Sequence, residues 1–278
     1  MEQRSFGHGV RVSVLGIGCS RVASINNPVP IREVEATLEA AIEAGVNLFD
    51  TADIYGQGDS ERALSRLLLR HRERMFVVTK VGGRHGRHAG IIRLAKPLLR
   101  KLIRSRPQLR GAVVKARTAT VSHRFRPIDL RRAVESSRRR LGLDQLDGLL
   151  LHSPSLETLH DPTIKDFLEE LLQVGWAKYV GVSVETVAEV EAALLTPAIT
   201  ILQMPLTVAS ELSGTDLIEQ VRRRNIGVFV REVLSALIPG AYSLREAVRS
   251  AVAPDFVTAA LIGVSTRRHL DELLSAIS

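Results

Sequence analysis

Three residues of different chemistry stand at the ends of short apolar runs in this sequence, and a tyrosine follows the first of them. Asp50 ends a run that begins at Asn47, and Tyr55 follows five residues later. Lys80 and His152 end two further runs of the same kind. Apolar runs that stop at a polar residue are typical of buried strands, and in a barrel of parallel strands chemistry takes place at that end. We therefore expect an acid, a phenol, an amine and an imidazole to converge on one rim.

This set of groups is suited to proton transfer at a carbonyl group. A tyrosine has an ordinary pKa of about 10, and a nearby ammonium lowers it. Lys80 can supply that ammonium, and Asp50 can hold Lys80 charged and in place. His152 can orient a carbonyl oxygen by hydrogen bonding or share in the proton transfer. Because no side chain can supply a hydride, a reduction at this rim implies a nicotinamide cofactor.

Each of the four residues also has a purely structural interpretation. A strand-end aspartate is often a loop or helix cap, and a strand-end lysine is often a solvated charge. His152 precedes Ser153 and Pro154 and could satisfy the backbone of a turn, while Tyr55 could be a packing aromatic. The placement of all these groups on successive predicted strand ends favours a shared site over four separate structural roles.

Strand-like and helix-like segments alternate along the chain. The pattern predicts eight strands with a helix between most of them, at Val12–Ile17, Val46–Phe49, Met75–Lys80, Leu146–Leu151, Tyr179–Val182, Ile199–Gln203, Gly227–Val230 and Val257–Ile262. Such alternation favours a parallel sheet covered by helices, and eight units in fewer than 300 residues favour a closed barrel. Asp59 or Ser60 is the predicted cap of the helix after Tyr55, and Pro127 is the predicted start of another helix.

Composition limits the class of protein. The chain has 278 residues, of which 45% are hydrophobic, and a single cysteine, Cys19. One cysteine excludes an internal disulfide and a multi-cysteine metal site, and no metal ligands are predicted. The chain has no apolar run of about 18 residues and no secretory apolar region near Met1, so we expect a cytoplasmic protein with no transmembrane segment. One domain over residues 1–278 is expected.

The positive net charge is concentrated in one segment. Residues 84–126 hold 13 Lys or Arg and no Asp or Glu, so the net charge of +8 leaves −5 for the rest of the chain (+8 minus 13). This distribution does not favour nucleic-acid binding. The segment 81–126 forms the long connection after the third predicted strand, and Ile91–Ile103 has the spacing of a short basic amphipathic helix. We favour a solvated flap over the rim; contact with an anionic substrate, an acidic partner or a membrane surface stays open.

Seven motifs in order resemble those of the aldo-keto reductases. They are L-G-I-G at 15–18, F-D-T-A-D-I-Y-G at 49–56, V-V-T-K at 77–80, L-L-L-H-S-P at 149–154, G-W-A-K-Y-V-G-V-S at 175–183, the segment around Gln203, and I-G-V-S-T-R-R-H-L at 262–270. The resemblance implies an α/β fold, the (β/α)8 TIM barrel, that binds NADP(H) without a Rossmann domain and reduces aldehydes or ketones. It implies that Tyr55 is the proton donor, with Asp50, Lys80 and His152 completing a catalytic tetrad.

The resemblance also implies a set of cofactor contacts. These are Gly18, Cys19 and Ser20 beside the nicotinamide ribose, Asp50 on the rim, Ser183 and Gln203 at the carboxamide, Arg231 stacked on the nicotinamide, Leu234 in the pyrophosphate loop, and Ser265, Thr266, Arg267 and Arg268 near the adenosine 2′-phosphate. A bidentate arginine at that phosphate would favour NADPH over NADH. The alternative for the last four residues is a capped and charged start to the final helix.

The sequence departs from the family pattern at several positions. Val184 replaces a usual asparagine, His269 stands where Arg or Gln is common, and Glu232 lies near the expected pyrophosphate. The tail after the eighth strand is short, so the basic insertion 81–126 is the candidate to close the site. The main hypothesis is NADPH-dependent reduction of a small carbonyl compound. The alternatives are a cofactor-binding regulatory or redox-sensing barrel with little turnover, and a lyase or isomerase that uses the cofactor transiently.

Overall fold

A computed structural model describes residues 1–24, 27–85, 121–234 and 243–277 of the chain. The strands in these residues are β1 (Gln3–Phe6), β2 (Val10–Ser13), β3 (Leu15–Gly18), β4 (Leu48–Asp50), β5 (Phe76–Val81), β6 (Gly83–His85), β7 (Val121–His123), β8 (Leu146–His152), β9 (Ala177–Ser183), β10 (Ile199–Pro205), β11 (Gly227–Arg231) and β12 (Ala259–Gly263). The helices are α1 (Ile31–Glu43), α2 (Asp59–His71), α3 (Pro127–Leu141), α4 (Leu156–His160), α5 (Pro162–Gln173), α6 (Val187–Leu194), α7 (Leu206–Leu212), α8 (Asp216–Arg223), α9 (Leu244–Val252) and α10 (Arg267–Ile277).

Eight parallel strands close a barrel, which confirms the predicted fold class. The order around the barrel is β3, β4, β5, β8, β9, β10, β11 and β12, and β12 pairs back onto β3. Helices connect the strands on the outside, as the alternating sequence pattern predicts. The register places Gly18 opposite Asp50, and His152 opposite Ser183. Ser183 in turn lies opposite Gln203, so polar residues of neighbouring strands share one level.

The described residues form two hydrophobic clusters. The larger cluster joins the outer faces of the strands to the helices and includes Phe49, Val77 and Leu149. The smaller cluster fills the barrel interior and includes Leu48 and Val78. Because both faces of each strand are covered, the barrel strands are mostly apolar in their middle, and charged residues such as Asp147 and Lys178 lie near the strand ends.

An antiparallel hairpin of β1 and β2 closes the end of the barrel at which the strands begin. The sequence-based prediction of one strand over Val12–Ile17 is therefore wrong, because this segment divides between β2 and β3. Phe6 of the hairpin packs its ring 5.8 Å from that of Phe76 and 5.5 Å from that of Phe229. A Cβ at Gly227 would lie 2.7 Å from the Phe6 ring, so glycine is required beneath this plug.

The sequence signals predict the start of α3 correctly and the cap of α2 incorrectly. Proline at position 127 begins α3 as predicted, and Gly142 ends that helix with a φ of 71°. The prediction that Asp59 or Ser60 caps α2 is wrong. Gly58 occupies the cap position, and the buried Ser60 hydroxyl donates to the Cys19 carbonyl instead. Ser60 thus ties α2 to the loop after β3.

The two ends of the basic insertion pair with each other. Strands β6 and β7 form an antiparallel ladder from Gly83 opposite His123 to His85 opposite Val121. Residues 86–120, which include the predicted helix Ile91–Ile103, lie outside the described residues. Among the helices that are described, none is both long enough and apolar enough to cross a bilayer.

Candidate active site

The polar residues at the top of the barrel continue the side-chain layers of its interior. Successive residues of a strand point to opposite faces, so residues two apart share a face. Leu48 and Val78 lie inside the barrel, and the residues two positions later are Asp50 and Lys80. The same step leads from the interior residues Leu150, Ile201, Phe229 and Leu261 to His152, Gln203, Arg231 and Gly263. The site is therefore the uppermost interior layer of the barrel, in which polar groups replace apolar ones.

Asp50 and Lys80 form a buried ion pair at the centre of this layer. The Lys80 Nζ lies 2.5 Å from Asp50 Oδ1 and donates a second bond to the Thr51 carbonyl at 3.1 Å. Gln203 donates to the same Asp50 oxygen at 2.8 Å, and Ser183 donates to Gln203 Oε1 at 2.9 Å. A chain of hydrogen bonds across four strands therefore fixes the orientation of the ammonium group.

Tyr55 reaches this pair from the loop that follows β4. Its ring centroid lies 5.0 Å from Lys80 Nζ and 5.8 Å from the centroid of the His152 ring, which it meets edge-on at 86°. The loop turns through Gly56, which has a φ of 57°. A Cβ at this glycine would lie 3.2 Å from the Ala23 carbonyl oxygen, so the tight turn that carries Tyr55 favours glycine.

Burial decides the protonation state of Tyr55. Removal from water raises the pKa of the phenol, and this effect outweighs the charge of Lys80, which lowers it. The sequence-based expectation of a net lowered pKa is therefore wrong in direction. Burial alone lowers the pKa of Lys80, but Asp50 and Tyr55 more than compensate and raise it above its ordinary value. At neutral pH the phenol is protonated and the amine is charged.

His152 is a neutral imidazole in this environment. Burial lowers its pKa to about 3, and the positive charge of Lys80 acts in the same direction. Its Nδ1 atom is buried and has no hydrogen-bond partner among the described residues. A buried polar nitrogen without a partner is costly in a folded protein and often marks a place where a ligand binds.

A cavity of about 270 Å³ lies over these residues. Gly18 and Gly263, on neighbouring strands, form part of its wall. A Cβ at Gly18 would meet only backbone atoms, the nearest at 3.6 Å, so a side chain here would take up cavity space without a steric clash. The two glycines thus leave a flat backbone surface beside Tyr55 and His152.

Charged residues form a clasp at the mouth of this cavity. Arg231 pairs with Glu185 at 2.6 Å, pairs with Glu232, and donates to the Val184 carbonyl at 3.1 Å. The Glu185 carboxylate also accepts from the Ser153 hydroxyl at 2.9 Å. Ser153 and Glu232 have φ values of 51° and 62°, which are strained for residues other than glycine. We refer to Ser153, Glu185, Arg231 and Glu232 as the mouth clasp.

A model of the aldo/keto reductase family matches residues 14–250 of the chain. The chain belongs to the aldo/keto reductase family. This confirms the resemblance seen in the motifs. D-threo-aldose 1-dehydrogenase from Pseudomonas sp. is 29% identical over 194 residues, which are 65% of this chain and 53% of that relative. YqkF, an uncharacterized oxidoreductase of Bacillus subtilis, is 27% identical over 186 residues, which are 66% of this chain and 49% of that relative. The chain spans about half the length of both relatives.

Solved structures of aldo-keto reductases have the same fold as this chain. The aldo-keto reductase AKR11C1 from Bacillus halodurans, in its holo form, superposes with a TM-score of 0.75 over all of this chain (100%) and 91% of the other. The sequence identity is 21%, so this likeness shows the barrel architecture. Aldo/keto reductases generally use a nicotinamide cofactor, and the oxidoreductase names of the relatives agree with that chemistry.

The structure gathers some of the implied cofactor contacts at the cavity. Gly18, Ser20, Ser183, Gln203 and Arg231 all line it. Ser183 donates to Gln203, and Gln203 donates to Asp50, which leaves one amide N–H of Gln203 and lone pairs of Ser183 for a ligand. The Nε of Arg231 is buried and has no partner in the described part of the chain. These features fit an aromatic ring that carries a carboxamide.

Other implied contacts lie elsewhere. The Cys19 side chain is buried in the outer hydrophobic cluster, where burial raises the pKa of its thiol far above the ordinary value. Leu234 packs against the same cluster. Arg267 and Arg268 form ion pairs along α10 with Asp271 at 2.8 Å and Glu272 at 2.9 Å. Ser265 accepts a bond from Asn27, and Thr266 accepts one from the His269 amide.

Sequence reasoning did not identify two groups of residues near the site. Glu185 of the mouth clasp follows the end of β9 by two positions, and its place after a strand was the available signal. Asp53 and Gln57 flank Tyr55 in the chain, and each has a buried oxygen without a partner in the described residues. No periodicity marks them, because their burial depends on the conformation of the loop.

Proposed function

We propose that this protein reduces an aldehyde or ketone to an alcohol with NADPH as the hydride source. The observation that carries the proposal is the convergence of a protonated phenol, a fixed ammonium and a neutral imidazole on one small cavity. Family membership and the oxidoreductase relatives support carbonyl reduction as the class of reaction.

Tyr55 is the proposed proton donor. Its raised pKa keeps the phenol protonated at neutral pH, which is the form that donation to a carbonyl oxygen requires. The Lys80 ammonium, 5.0 Å from the ring centroid, stabilises the phenolate that forms when the proton leaves. Asp50 holds the ammonium through its bond at 2.5 Å, and Gln203 holds Asp50. In the oxidation direction the phenolate takes the proton back.

His152 is proposed to orient the carbonyl group. A neutral imidazole can donate one hydrogen bond from a ring nitrogen, and the pKa of about 3 keeps His152 neutral throughout the physiological range. Its ring centroid lies 5.8 Å from that of Tyr55, and both residues line the cavity. A carbonyl oxygen between them would accept from both, which polarises the C=O bond before hydride arrives.

A nicotinamide cofactor, when bound, supplies the hydride. Gly18 and Gly263 would provide a flat surface for the ring, and Ser183 with Gln203 would bind its carboxamide. Arg231 is the proposed stacking residue. We propose a preference for NADP(H) over NAD(H) because Arg267 and Arg268 are exposed and their i,i+4 ion pairs are weak, at about 0.3–0.5 kcal/mol, so either guanidinium can turn to a phosphate.

The proposed substrate is a small carbonyl compound. A relative named for an aldose dehydrogenase makes hydroxylated aldehydes a sensible part of any substrate panel. The basic segment 84–126 is proposed to contact an anionic part of the substrate or an acidic partner. This proposal rests on its charge of 13 Lys or Arg with no Asp or Glu.

The test combines a substrate panel with one variant. Purified protein is mixed with NADPH and with simple, aromatic and hydroxylated aldehydes, and NADPH loss is followed by its absorbance. Tyr55→Phe should lower kcat by about 10²–10⁴-fold while leaving NADPH affinity within about twofold, because the hydroxyl acts only on the carbonyl. Tight cofactor binding without turnover on any carbonyl would favour the regulatory barrel. Substrate conversion at an unchanged cofactor redox state would favour a lyase or isomerase.

A further inference from the structure

A second cavity, of about 470 Å³, lies behind the loop that carries Tyr55. Its polar lining consists of Asp53, Gln57, Asp129, Ser136 and three arginines, Arg124, Arg132 and Arg140. The buried oxygens Asp53 Oδ1 and Gln57 Oε1 have no partner among the described residues. A cavity of this size is within the range that holds small ligands, and unpaired buried acceptors indicate that its occupant donates hydrogen bonds.

This cavity is separate from the candidate active site. The residues that line the two cavities do not overlap. The partition between them runs through Ile54 and Gly83: a Cβ built on Gly83 would lie 3.0 Å from Ile54 Cγ2 and 3.6 Å from His152 Nδ1. His152 therefore stands behind this partition, and a ligand in the second cavity would not touch it.

The charges around the cavity decide the sign of its ligand. Arg140 is neutralised by the fully buried Glu61, and the lining carboxylate of Asp129 is neutralised by Arg126 at 2.6 Å. Arg124 and Arg132 are exposed at the rim and form no ion pair with any described residue. Two free guanidinium groups at the mouth favour a carboxylate or phosphate and oppose a metal cation.

The buried side chains of the cavity indicate which hydrogen-bonding groups its ligand carries. Burial and the neighbouring charge of Glu61 raise the pKa of Asp53 to about 8, so the Asp53 carboxyl is largely protonated at neutral pH. A protonated carboxyl both donates and accepts, and the Gln57 amide does the same. Hydroxyl groups of a ligand can likewise both donate and accept. An ammonium group can only donate, and the two arginines at the mouth would repel it.

We infer that this second cavity binds a small anion that carries several hydroxyl groups. The anionic group would lie between Arg124 and Arg132, and the hydroxyl groups would reach Asp53 and Gln57. The inference does not depend on the proposed reductase activity, because it concerns different residues and requires neither cofactor nor turnover. A ligand bound here would also contact both sides of the turn that positions Tyr55.

Titration calorimetry without cofactor tests the inference. The probes are D-gluconate and 6-phospho-D-gluconate, with D-glucitol, acetate and inorganic phosphate as probes that lack one half of the predicted chemistry. One or both hydroxylated anions should bind about tenfold or more tightly than the three partial probes. A preference between the two would identify carboxylate or phosphate as the bound group. No measurable binding of either hydroxylated anion, or equal binding of acetate or phosphate alone, would overturn the inference.

Matched variants locate the binding. Arg132→Ala removes a rim guanidinium, and Gln57→Met removes the deep amide at nearly constant shape. Each should weaken binding of the hydroxylated anion about tenfold, the effect of losing one charge-assisted or buried hydrogen bond. Arg139→Ala, on the same helix α3 but outside the cavity lining, should change affinity less than twofold, an order-of-magnitude bound for a surface charge. An equal effect of Arg139→Ala and Arg132→Ala would show non-specific charge attraction and overturn the inference.

Discussion

Two buried aspartates at opposite ends of the barrel differ in how far their cationic partners are exposed to solvent. Asp147, near the start of β8, accepts from Arg72 at 2.6 and 3.0 Å and from the Val77 amide at 3.1 Å. Lys178 lies 3.5 Å away. The cations Arg72 and Lys178 have side chains that are 34% and 48% exposed, so solvent shares their charge. Asp50, at the end of β4, depends on Lys80, which is 1% exposed.

The two ends of the barrel also differ in their buried polar atoms without hydrogen-bond partners, which are energetically costly. Among the described residues, the buried side-chain nitrogens and oxygens without partners belong to Asp53, Gln57, His152 and Arg231. All four lie at the end of the barrel where the strands finish. In the part of the chain that the structure describes, the Asp147 end has no buried side-chain nitrogen or oxygen without a partner. We therefore expect one end of the barrel to serve stability and the other, which has the unpaired groups, to bind ligands.

The largest expected effect follows from removal of Lys80. Lys80→Met leaves the Asp50 carboxylate buried without its cation, which should cost about 3–5 kcal/mol of unfolding free energy in urea titrations. Turnover should fall at least about 10²-fold because Tyr55 loses its charge partner. The double variant Asp50→Asn, Lys80→Met should recover part of the stability and none of the turnover. A single variant as stable as the parent would show that Asp50 is not held charged in the folded protein.

Asp147 should give the reverse result. Asp147→Asn keeps the shape of the side chain but weakens charge-assisted hydrogen bonds, so the unfolding free energy should fall by about 1.5–3 kcal/mol. The kcat of any carbonyl reduction should stay within about twofold, since Asp147 lies at the opposite end from the cavity. Asp144→Asn, a nearby exposed position, is the control for stability. A large loss of kcat in Asp147→Asn at full folding would break the division between the two ends.

The barrel and three of its strand-end residues could be predicted from the sequence. Strand ends such as those at Asp50, Lys80 and His152 follow from a simple rule, because residues two apart share a face of a strand. An apolar run therefore determines where the following polar side chain points. The eight-stranded barrel and the meeting of these three residues could be predicted for this reason.

Features that depend on several distant segments could not be predicted in this way. The β1–β2 plug depends on Phe6 packing between Phe76 and Phe229. The net pKa of Tyr55 depends on how much water the surrounding loops exclude, which the presence of Lys80 alone does not reveal. The second cavity depends on the positive φ values of Gly56 and Gln57, which set the course of their loop. Each of these is a property of three-dimensional packing.

His152 should make stability depend on pH. Its pKa of about 3 in the folded protein lies below the ordinary value of 6.5, so the unfolded chain takes up a proton first as pH falls. The stabilisation is complete above the unfolded pKa and declines as pH falls from there toward 3. Between about pH 8 and about pH 5 the loss should be about 2 kcal/mol. Urea titrations of His152→Asn should lack this part of the decline. His8→Asn, at an exposed position, should retain it, and identical profiles for all three proteins would contradict a buried neutral imidazole.

A substitution in the mouth clasp should have the smallest effect, a change in cofactor affinity. It tests how the charges at the cavity mouth act on the cofactor. Glu185→Gln removes one of the two carboxylates that pair with Arg231 and lowers the negative charge at the cavity mouth. NADPH affinity, measured by fluorescence titration, should rise a few-fold at low salt, because an exposed ion pair contributes up to about 1 kcal/mol. The gain should shrink at about 1 M salt, where charges are screened beyond about 3 Å. Glu191→Gln, an exposed change on the following helix, is the matched control. Weaker NADPH binding in Glu185→Gln would mean that the clasp holds Arg231 in its binding position, and that the Glu185 charge serves the site instead of opposing its ligand.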